Sequence, residues 1–365
     1  MVAVEPTSLV VLACAKTGDR SGAAWQAVLG PFANMEFALS DAAKGIAAGV
    51  QAVATARAAE ASELAPAVPL EHGLDVFHTN QEARRVLAKP WRRAEASWDE
   101  AAAADIRVAE AKQQGRHAGG AAQQARRAWE EAERRLAEVD QAESAWQRAR
   151  AALAVWRPDG TLNERASAEA EIRAALAALP GPEWKKVRNF LTDRRSLTFL
   201  DRLHRRLAEA EPDVALRQVC LRRWWLRHLQ PRPAPPPLTA QSLVQALLDA
   251  KVRDGDLTAV EQAAYDRVAA VLRTTVRASS AVEGINSVLR MQQGRHRKMT
   301  QGLLDLKRLY WNCRSLQTGK RRSHSPYELL GVPLPSTDFW TLLRTDPHPA
   351  GKQLPEKVSA SADGA

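Results

Sequence analysis

Between residues 79 and 230, apolar side chains recur at three- and four-residue steps, the spacing of one face of an α-helix. A glycine-rich segment at residues 115–120 interrupts the pattern, which then resumes. Two helical stripes on either side of a glycine turn predict an antiparallel helical hairpin. The stripes consist of Leu87, Trp91, Ala94, Trp98, Ala102, Ile106 and Ala109, and of Trp129, Ala132, Leu136, Val139, Ala142, Trp146, Ala149, Leu153 and Trp156. We expect the tryptophans to pack in the seam of this hairpin; the alternative is stacking on nucleotide bases.

Residues 1–78 show a different pattern, in which short apolar runs alternate with helical stretches. Strands are predicted at 2–5, 8–16, 35–39 and 74–77, and helices at 23–32 and 42–59. This alternation predicts an α/β sheet with some parallel pairing. Chemistry in such sheets gathers at the carboxyl ends of the strands, where Asp41 and His78 are expected.

The remaining segments divide the chain. Two basic, aromatic helices at 184–195 and 221–228 either pack their tryptophans or form a surface that follows phosphates. Further helices are predicted after a stiff proline-rich linker. The predicted parts are 1–78 (α/β), 79–230 (all-helical insertion), 231–238 (linker), 239–345 (helical, completing the core) and 346–365 (flexible tail).

The segment around Glu283 is predicted to be a two-faced helix. Val282, Ile285 and Leu289 form its apolar stripe, and Glu283, Asn286, Ser287 and Arg290 line up on the other side. A carboxylate in this basic setting suits a divalent cation bound beside a phosphate backbone. The alternative is a surface helix whose Glu283 is only solvated.

Composition narrows the class of partner. The chain has 365 residues, 45% of them hydrophobic and 26% charged, which is enough for two or three domains. The net charge of +10 favours a polyanionic partner, nucleic acid before membrane. Three scattered cysteines without a CxxC pair argue against a structural zinc site or a disulfide framework and suit a reducing cytosol. No apolar stretch is long enough to predict a membrane span.

Three motifs in this order resemble the DDE transposases with an RNase H-like core. They are Ser40-Asp41-Ala-Ala-Lys-Gly-Ile, then Leu74-Asp75-Val-Phe-His78, and, after the helical insertion, Ser-Ser-Ala-Val-Glu283-Gly-Ile-Asn-Ser-Val-Leu-Arg290. The resemblance is closest to bacterial transposases related to the Mutator-like and hAT superfamilies. It implies an α/β RNase H-like core interrupted by a large all-α insertion, with Asp41 as the second catalytic aspartate. Asp75 and His78 would form the (C/D)xxH motif, and Glu283 would be the catalytic glutamate.

The resemblance also implies a chemistry: hydrolysis and strand transfer at DNA phosphodiester bonds with two Mg²⁺ ions about 4 Å apart. Asp41 and Glu283 would bind metal, and His78 would position the scissile phosphate. The alternatives are structural: His78 at the edge of the core and Asp75 capping a strand end. DNA would lie along a set of polar and basic residues: Arg277, Asn286, Arg290, Arg295, His296 and Lys298. DNA is therefore the expected partner, in a bacterial cytoplasm near the nucleoid, with a homo-oligomer possible and no membrane.

One part of the family pattern is missing. The first catalytic aspartate of these transposases lies on a central first strand, but no Asp precedes Asp19, and Glu5 stands beside a proline. We therefore expect an incomplete core whose first strand is absent, and a truncated or decayed transposase with impaired activity. Two other hypotheses remain: a non-catalytic nucleic-acid-binding protein, and a helical scaffold whose tryptophan-rich hairpin binds a protein.

Overall fold

The structure is a computed structural model that describes residues 1–61, 68–179, 181–230, 239–277, 280–295, 299–319, 321–336 and 338–344. The predicted linker at 231–238, His296, Lys298 and the predicted tail at 346–365 lie outside these residues. The strands are β1 (Val2–Val4), β2 (Val11–Cys14), β3 (Phe37–Ser40) and β4 (Glu71–Leu74). The helices are α1 (Gly22–Leu29), α2 (Lys44–Glu60), α3 (Val76–Gln113), α4 (Gly119–Ala152), α5 (Arg165–Ala177), α6 (Lys185–Thr192), α7 (Thr198–Ala210), α8 (Val214–His228), α9 (Ala240–Asp254), α10 (Ala259–Arg273), α11 (Ser280–Arg295), α12 (Gln301–Cys313), α13 (Pro326–Leu329) and α14 (Phe339–Arg344). Short 3₁₀ turns cover Pro182–Trp184 and Arg194–Leu197.

The chain forms two compact units that interleave in sequence. One consists of Met1–Met35, Lys44–Val68 and Ser279–Ala365, and the other of Glu36–Ala43 and Pro69–Ala278. The described residues are mostly helical, with a small α/β content in two separate two-stranded sheets. The expected parallel pairing is present between β3 and β4, whereas β1 and β2 are antiparallel.

The first unit packs two late helices against the early β1–β2 hairpin. Its core joins Val11 and Cys14 of β2 to Leu289 of α11 and to Leu304 and Trp311 of α12. This cluster brings together apolar stripes that are nearly 300 positions apart in sequence, as the hydrogen bonds between β2 and α12 also show.

Side chains of α12 bond to the edge of β2 that faces away from β1. The buried Asn312 amide accepts from the Val11 N–H at 2.8 Å and donates to the Val11 carbonyl at 3.0 Å. Gln301 likewise accepts from the Lys16 N–H and donates to the Cys14 carbonyl. The two amides thus take the place of a neighbouring strand and satisfy an edge that would otherwise be open.

Helices α1 and α2 approach closely because α2 carries glycine where they meet. A Cβ atom placed on Gly49 would lie 2.3 Å from the Cβ of Trp25, and one on Gly45 would lie 1.9 Å from the carbonyl oxygen of Arg20. Neither separation is compatible with a side chain, so the residue type at both positions is fixed by packing.

The second unit contains the predicted hairpin, now seen as α3 and α4. Near its open end the hairpin joins the main core through residues such as Leu87 and Trp146. Further along, its buried positions between residues 94 and 132 are all alanines, namely Ala94, Ala101, Ala104, Ala111, Ala125 and Ala132. The expectation that the tryptophans pack in the seam holds for Trp146 but is wrong for Trp98. Trp98 is 45% exposed and meets Trp129 edge-on, because the alanine seam leaves no room for larger rings.

The predicted strand at 74–77 is wrong. β4 ends at Leu74 and α3 begins at Val76, because the Asp75 carboxylate accepts a hydrogen bond from the Phe77 N–H at 2.8 Å and caps the helix. His78 therefore lies in the first turn of a helix and not at the end of a strand.

Candidate functional site

Asp41 and Asp75 follow two strands that pair in parallel. Ser40 is opposite Leu74, and the Asp75 N–H donates to the Ser40 carbonyl at 2.8 Å. Both aspartates therefore leave the sheet at the same edge, the carboxyl edge at which ligands commonly bind in α/β proteins. The expected position of Asp41 at the end of a strand is confirmed.

The two carboxylates have different environments. Asp41 is exposed, and its Oδ1 accepts a hydrogen bond from the Ala43 N–H at 3.2 Å. Asp75 is completely buried and is the cap of α3. His78 Nε2 lies 3.7 Å from Asp75 Oδ2, and the His78 side chain is 35% exposed. The structural alternative for Asp75 was the cap of a strand end; its carboxylate instead caps the start of α3, directly after β4. Asp41 is placed where it can meet a ligand.

A part-buried polar network joins Ser40 of β3, His72 of β4 and Arg195. Ser40 Oγ lies 2.7 Å from His72 Nε2 and 2.8 Å from the Asp41 carbonyl oxygen. On the other side of the ring, Arg195 Nη1 is 3.3 Å from His72 Nδ1 and Arg195 forms an ion pair with Asp193 at 2.7 Å. No local signal in the sequence marks this network, because His72 and Arg195 are 123 positions apart and neither belongs to a motif.

The hydrogen bonds determine the proton positions. The Asp41 carbonyl oxygen can only accept a hydrogen bond, so the single hydroxyl proton of Ser40 points towards it. Ser40 Oγ must then accept the other hydrogen bond, which His72 Nε2–H donates. His72 Nδ1 is then the acceptor for Arg195. Burial, and next the Arg195 charge, lower the pKa of His72 from its ordinary 6.5 to about 4, although Asp193 and Asp41 oppose this shift. The bond to Arg195 in turn lowers the pKa of Asp193.

This assignment excludes one kind of chemistry. A serine nucleophile needs a histidine nitrogen that accepts its proton, whereas His72 donates to Ser40. The network instead fixes the Arg194–Leu197 turn against the sheet and holds the end of β3, from which Asp41 leaves.

Glu283 lies on α11 as predicted. Ile285 packs against the core of the first unit and Leu289 is buried within it, while Ser287 and Arg290 are exposed. Glu283 is partly exposed, and the Asn286 amide donates to its Oε1 at 3.5 Å. The two-faced character of this helix is confirmed.

The other expected DNA-binding residues are distributed between the units. Asn286 and Arg290 accompany Glu283 in the first unit, whereas Arg277 belongs to the second with Asp41, Asp75 and His78. Arg277 donates to the Leu153 carbonyl at 2.8 Å. The Arg295 side chain, His296 and Lys298 lie outside the described residues.

The basic, aromatic helix α8 uses two of its arginines internally. Arg222 forms an ion pair with Asp249 at 2.6 Å and stacks over the Trp225 ring at 4.9 Å. Arg223 is buried and donates to the carbonyls that end α9. These contacts support the packing alternative for α8 over a phosphate-following surface.

A two-metal site of the kind that the resemblance implies needs carboxylates that converge on the metal pair. Among the described residues, no group of three His, Cys, Asp or Glu side chains comes together in a way that could hold a metal ion. Asp41 and Glu283 suit Mg²⁺ as partly accessible carboxylates, but the capping role of Asp75 leaves no third carboxylate. The complete two-metal set implied by the resemblance does not fit the described residues.

Comparison with models of known protein families, with curated proteins and with solved structures finds no match to this chain. Within the part of the chain that the structure describes, none of the helices has the length and apolar character needed to cross a membrane.

Proposed function

We propose that the chain is the core of a DDE-type DNA transposase, or a remnant of one, with impaired activity on phosphodiester bonds. The observation that carries the proposal is the parallel pairing of β3 and β4. Each of these strands is followed directly by an aspartate, Asp41 and Asp75, at one edge of the sheet, and α2 lies between the two strands in chain order. This topology, followed by a long helical segment and then the Glu283 helix, is the order that the resemblance implies.

The proposed roles follow from exposure and contacts. Asp41 would be a ligand for a divalent cation in the second unit and Glu283 in the first, and Arg290 and Asn286 would contact DNA beside Glu283. Asp75 and His78 would act only by fixing the start of α3. Because no group of three metal-binding side chains comes together among the described residues, we expect cation binding to be weak and DNA cleavage to be slow or absent.

Site-directed cleavage of the polypeptide by bound iron tests this proposal without relying on enzymatic activity. Fe²⁺ with ascorbate and peroxide should cut the backbone near residue 41 and near residue 283, and excess Mg²⁺ should suppress both cuts. Asp41→Asn should remove the cut near residue 41 and Glu283→Gln the cut near residue 283, whereas Glu100→Gln, which changes an exposed carboxylate on α3, should remove neither. Cuts that persist in both variants would show that neither carboxylate binds a cation.

A second candidate is a nucleic-acid-binding protein without catalysis, favoured by the lack of a three-residue metal group among the described residues. It predicts salt-dependent DNA affinity that Asp41→Ala leaves unchanged. The scaffold reading predicts no DNA affinity at moderate salt.

A further inference from the structure

Within the part of the chain that the structure describes, the far half of the α3–α4 hairpin contributes no residue to the hydrophobic core that the hairpin shares with other helices. The core residues that the hairpin contributes to the neighbouring helices fall before residue 92 and after residue 141. Between these limits the buried residues are the alanine seam and Val139. Such a seam holds two helices close together, but it does not explain which side chains lie on their outer surfaces.

Those outer side chains are strongly segregated by charge. The tip, residues 107–127, carries five Arg or Lys residues against one Glu, a net charge of +4. The adjoining shaft, residues 94–106 and 128–139, carries eight acidic residues against two arginines, a net charge of −6. The positive charge is therefore concentrated at the end of the hairpin.

The shaft arginines are neutralised and most of the tip cations are not. Arg134 forms ion pairs with Glu131 at 2.7 Å and Glu138 at 2.5 Å, and Arg135 pairs with Glu131 at 2.6 Å. At the tip, Arg126 lies 3.4 Å from Glu130. The other four cations are exposed and make no ion pair with any described residue: Arg107, Lys112, Arg116 and Arg127.

The composition of the tip indicates which kind of anionic partner it can bind. Residues 107–127 contain one apolar residue larger than alanine, the half-buried Val108, so the tip has no anchor for a lipid bilayer and lacks the large apolar side chains on which protein interfaces depend. It offers instead four glutamines, three glycines and the unpaired cations. Cations and amides are the groups that contact phosphate and sugar oxygens.

The acidic shaft limits how a polyanion can approach. Seven residues of helix separate Lys112 from Asp105, about 10 Å, which is close to one Debye length at 0.1 M salt. A phosphate backbone laid along the shaft would be repelled, whereas one that meets the tip end-on would not. Two helices side by side, each about 10 Å across, are also too wide for the major groove of about 12 Å.

From these observations we propose that the hairpin tip, residues 107–127, binds the phosphate backbone of duplex DNA end-on and without base-sequence preference. This contact does not depend on the proposed phosphodiester chemistry. Neutralising four phosphates gives a slope of about −3.6 in a plot of log K against log salt. The tip should therefore account for a loss of about 10²-fold in affinity between 50 and 200 mM salt.

The test compares two variants of the full chain with the same net charge. The tip variant is Arg107→Gln, Lys112→Gln, Arg116→Gln and Arg127→Gln. The control variant is Arg84→Gln, Lys89→Gln, Arg92→Gln and Arg148→Gln, four exposed cations nearer the base of the same two helices. Circular dichroism should show unchanged helix content in both, since all eight side chains are exposed.

Binding to a labelled duplex of random sequence is then measured by fluorescence anisotropy at 50–200 mM NaCl. The tip variant should bind at least tenfold more weakly at 50 mM salt, with a slope reduced by about 3 to 4, while the control stays near the wild type. Equal weakening in both variants, or none in the tip variant, overturns the proposal. So does a tip variant that keeps its DNA affinity but no longer sediments with phosphatidylserine vesicles, since the partner would then be a membrane. Metal-dependent backbone cleavage at Asp41 and Glu283 is unaffected by these substitutions, so either proposal can fail alone.

Discussion

The effect of protonating His72 tests the environment assigned to this ring in the part-buried network. In the neutral ring, Nε2–H donates to Ser40 and Nδ1 accepts from Arg195. A proton added to Nδ1 would remove that acceptor and place a second positive charge within 3.3 Å of the Arg195 guanidinium. Burial of the ring, and next the charge of Arg195, disfavour the protonated form in the folded chain, and together they lower the pKa of His72.

The magnitude follows from the difference in pKa between the unfolded and folded chain. The pKa of His72 falls from 6.5 to about 4, and each unit corresponds to about 1.4 kcal/mol. Between these values the unfolded chain binds the proton and the folded chain does not, so stability increases with pH across this window. The contribution is fully present above pH 6.5, decreases as the pH falls towards 4, and amounts to about 3 kcal/mol at most, less where solvent screens the half-buried ring.

Two measurements check this expectation. In an NMR titration of ¹³C-labelled histidines, one of the eight rings should titrate near pH 4, and its signal should be absent from His72→Asn but present in His117→Asn, which changes an exposed histidine. Urea unfolding at pH 7, 5.5 and 4.5 should then show that His72→Asn has lost about 2–3 kcal/mol of the wild-type dependence on pH. An ordinary pKa for His72, or an identical pH dependence in the variant, would refute the environment proposed for the ring.

Three further substitutions test the packing. Asn312→Leu removes both hydrogen bonds to the β2 edge and leaves buried backbone groups unpaired. Thermal unfolding should therefore show that the free energy of unfolding falls by about 2–4 kcal/mol, whereas a decrease below about 1 kcal/mol would mean that water replaces the amide. Gly49→Ala forces a Cβ atom against Trp25 and should cost about 1–3 kcal/mol in urea unfolding, whereas Gly284→Ala, which meets nothing within 4 Å in the middle of α11, should be neutral or stabilising. Asp75→Ala should cost about 1–2 kcal/mol through loss of the α3 cap and Asp75→Asn much less; equal losses would assign the effect to the buried charge instead of the cap.

The local periodicity of apolar and polar residues was sufficient to predict the helices. The alternation of apolar and polar positions correctly predicted the α3–α4 hairpin and the two faces of α11 around Glu283, because a helix buries one face whatever its partner is. The order of strands and helices in the first 78 residues was also predicted, including parallel pairing between β3 and β4, but the expected sheet is divided into two separate two-stranded sheets.

The segment from Leu74 to His78 shows where such patterns stop being informative. A short apolar run is equally compatible with a strand and with the first turn of a helix, and the cap formed by Asp75 decided between them. The exposed Trp98 is a similar case, since the width of the alanine seam became known only once both helices were in place.

Tertiary structure alone decided the polar contacts. Asn312 meets Val11 across 301 positions and Arg195 meets His72 across 123, and no local signal marks either pair. A hydrophobic pattern reports that a face is buried but not what covers it, so hydrogen bonds between distant segments and the proton positions they impose follow only from the folded chain. The sequence determined which stretches are helical and where charge collects; the fold decided which side chains satisfy one another.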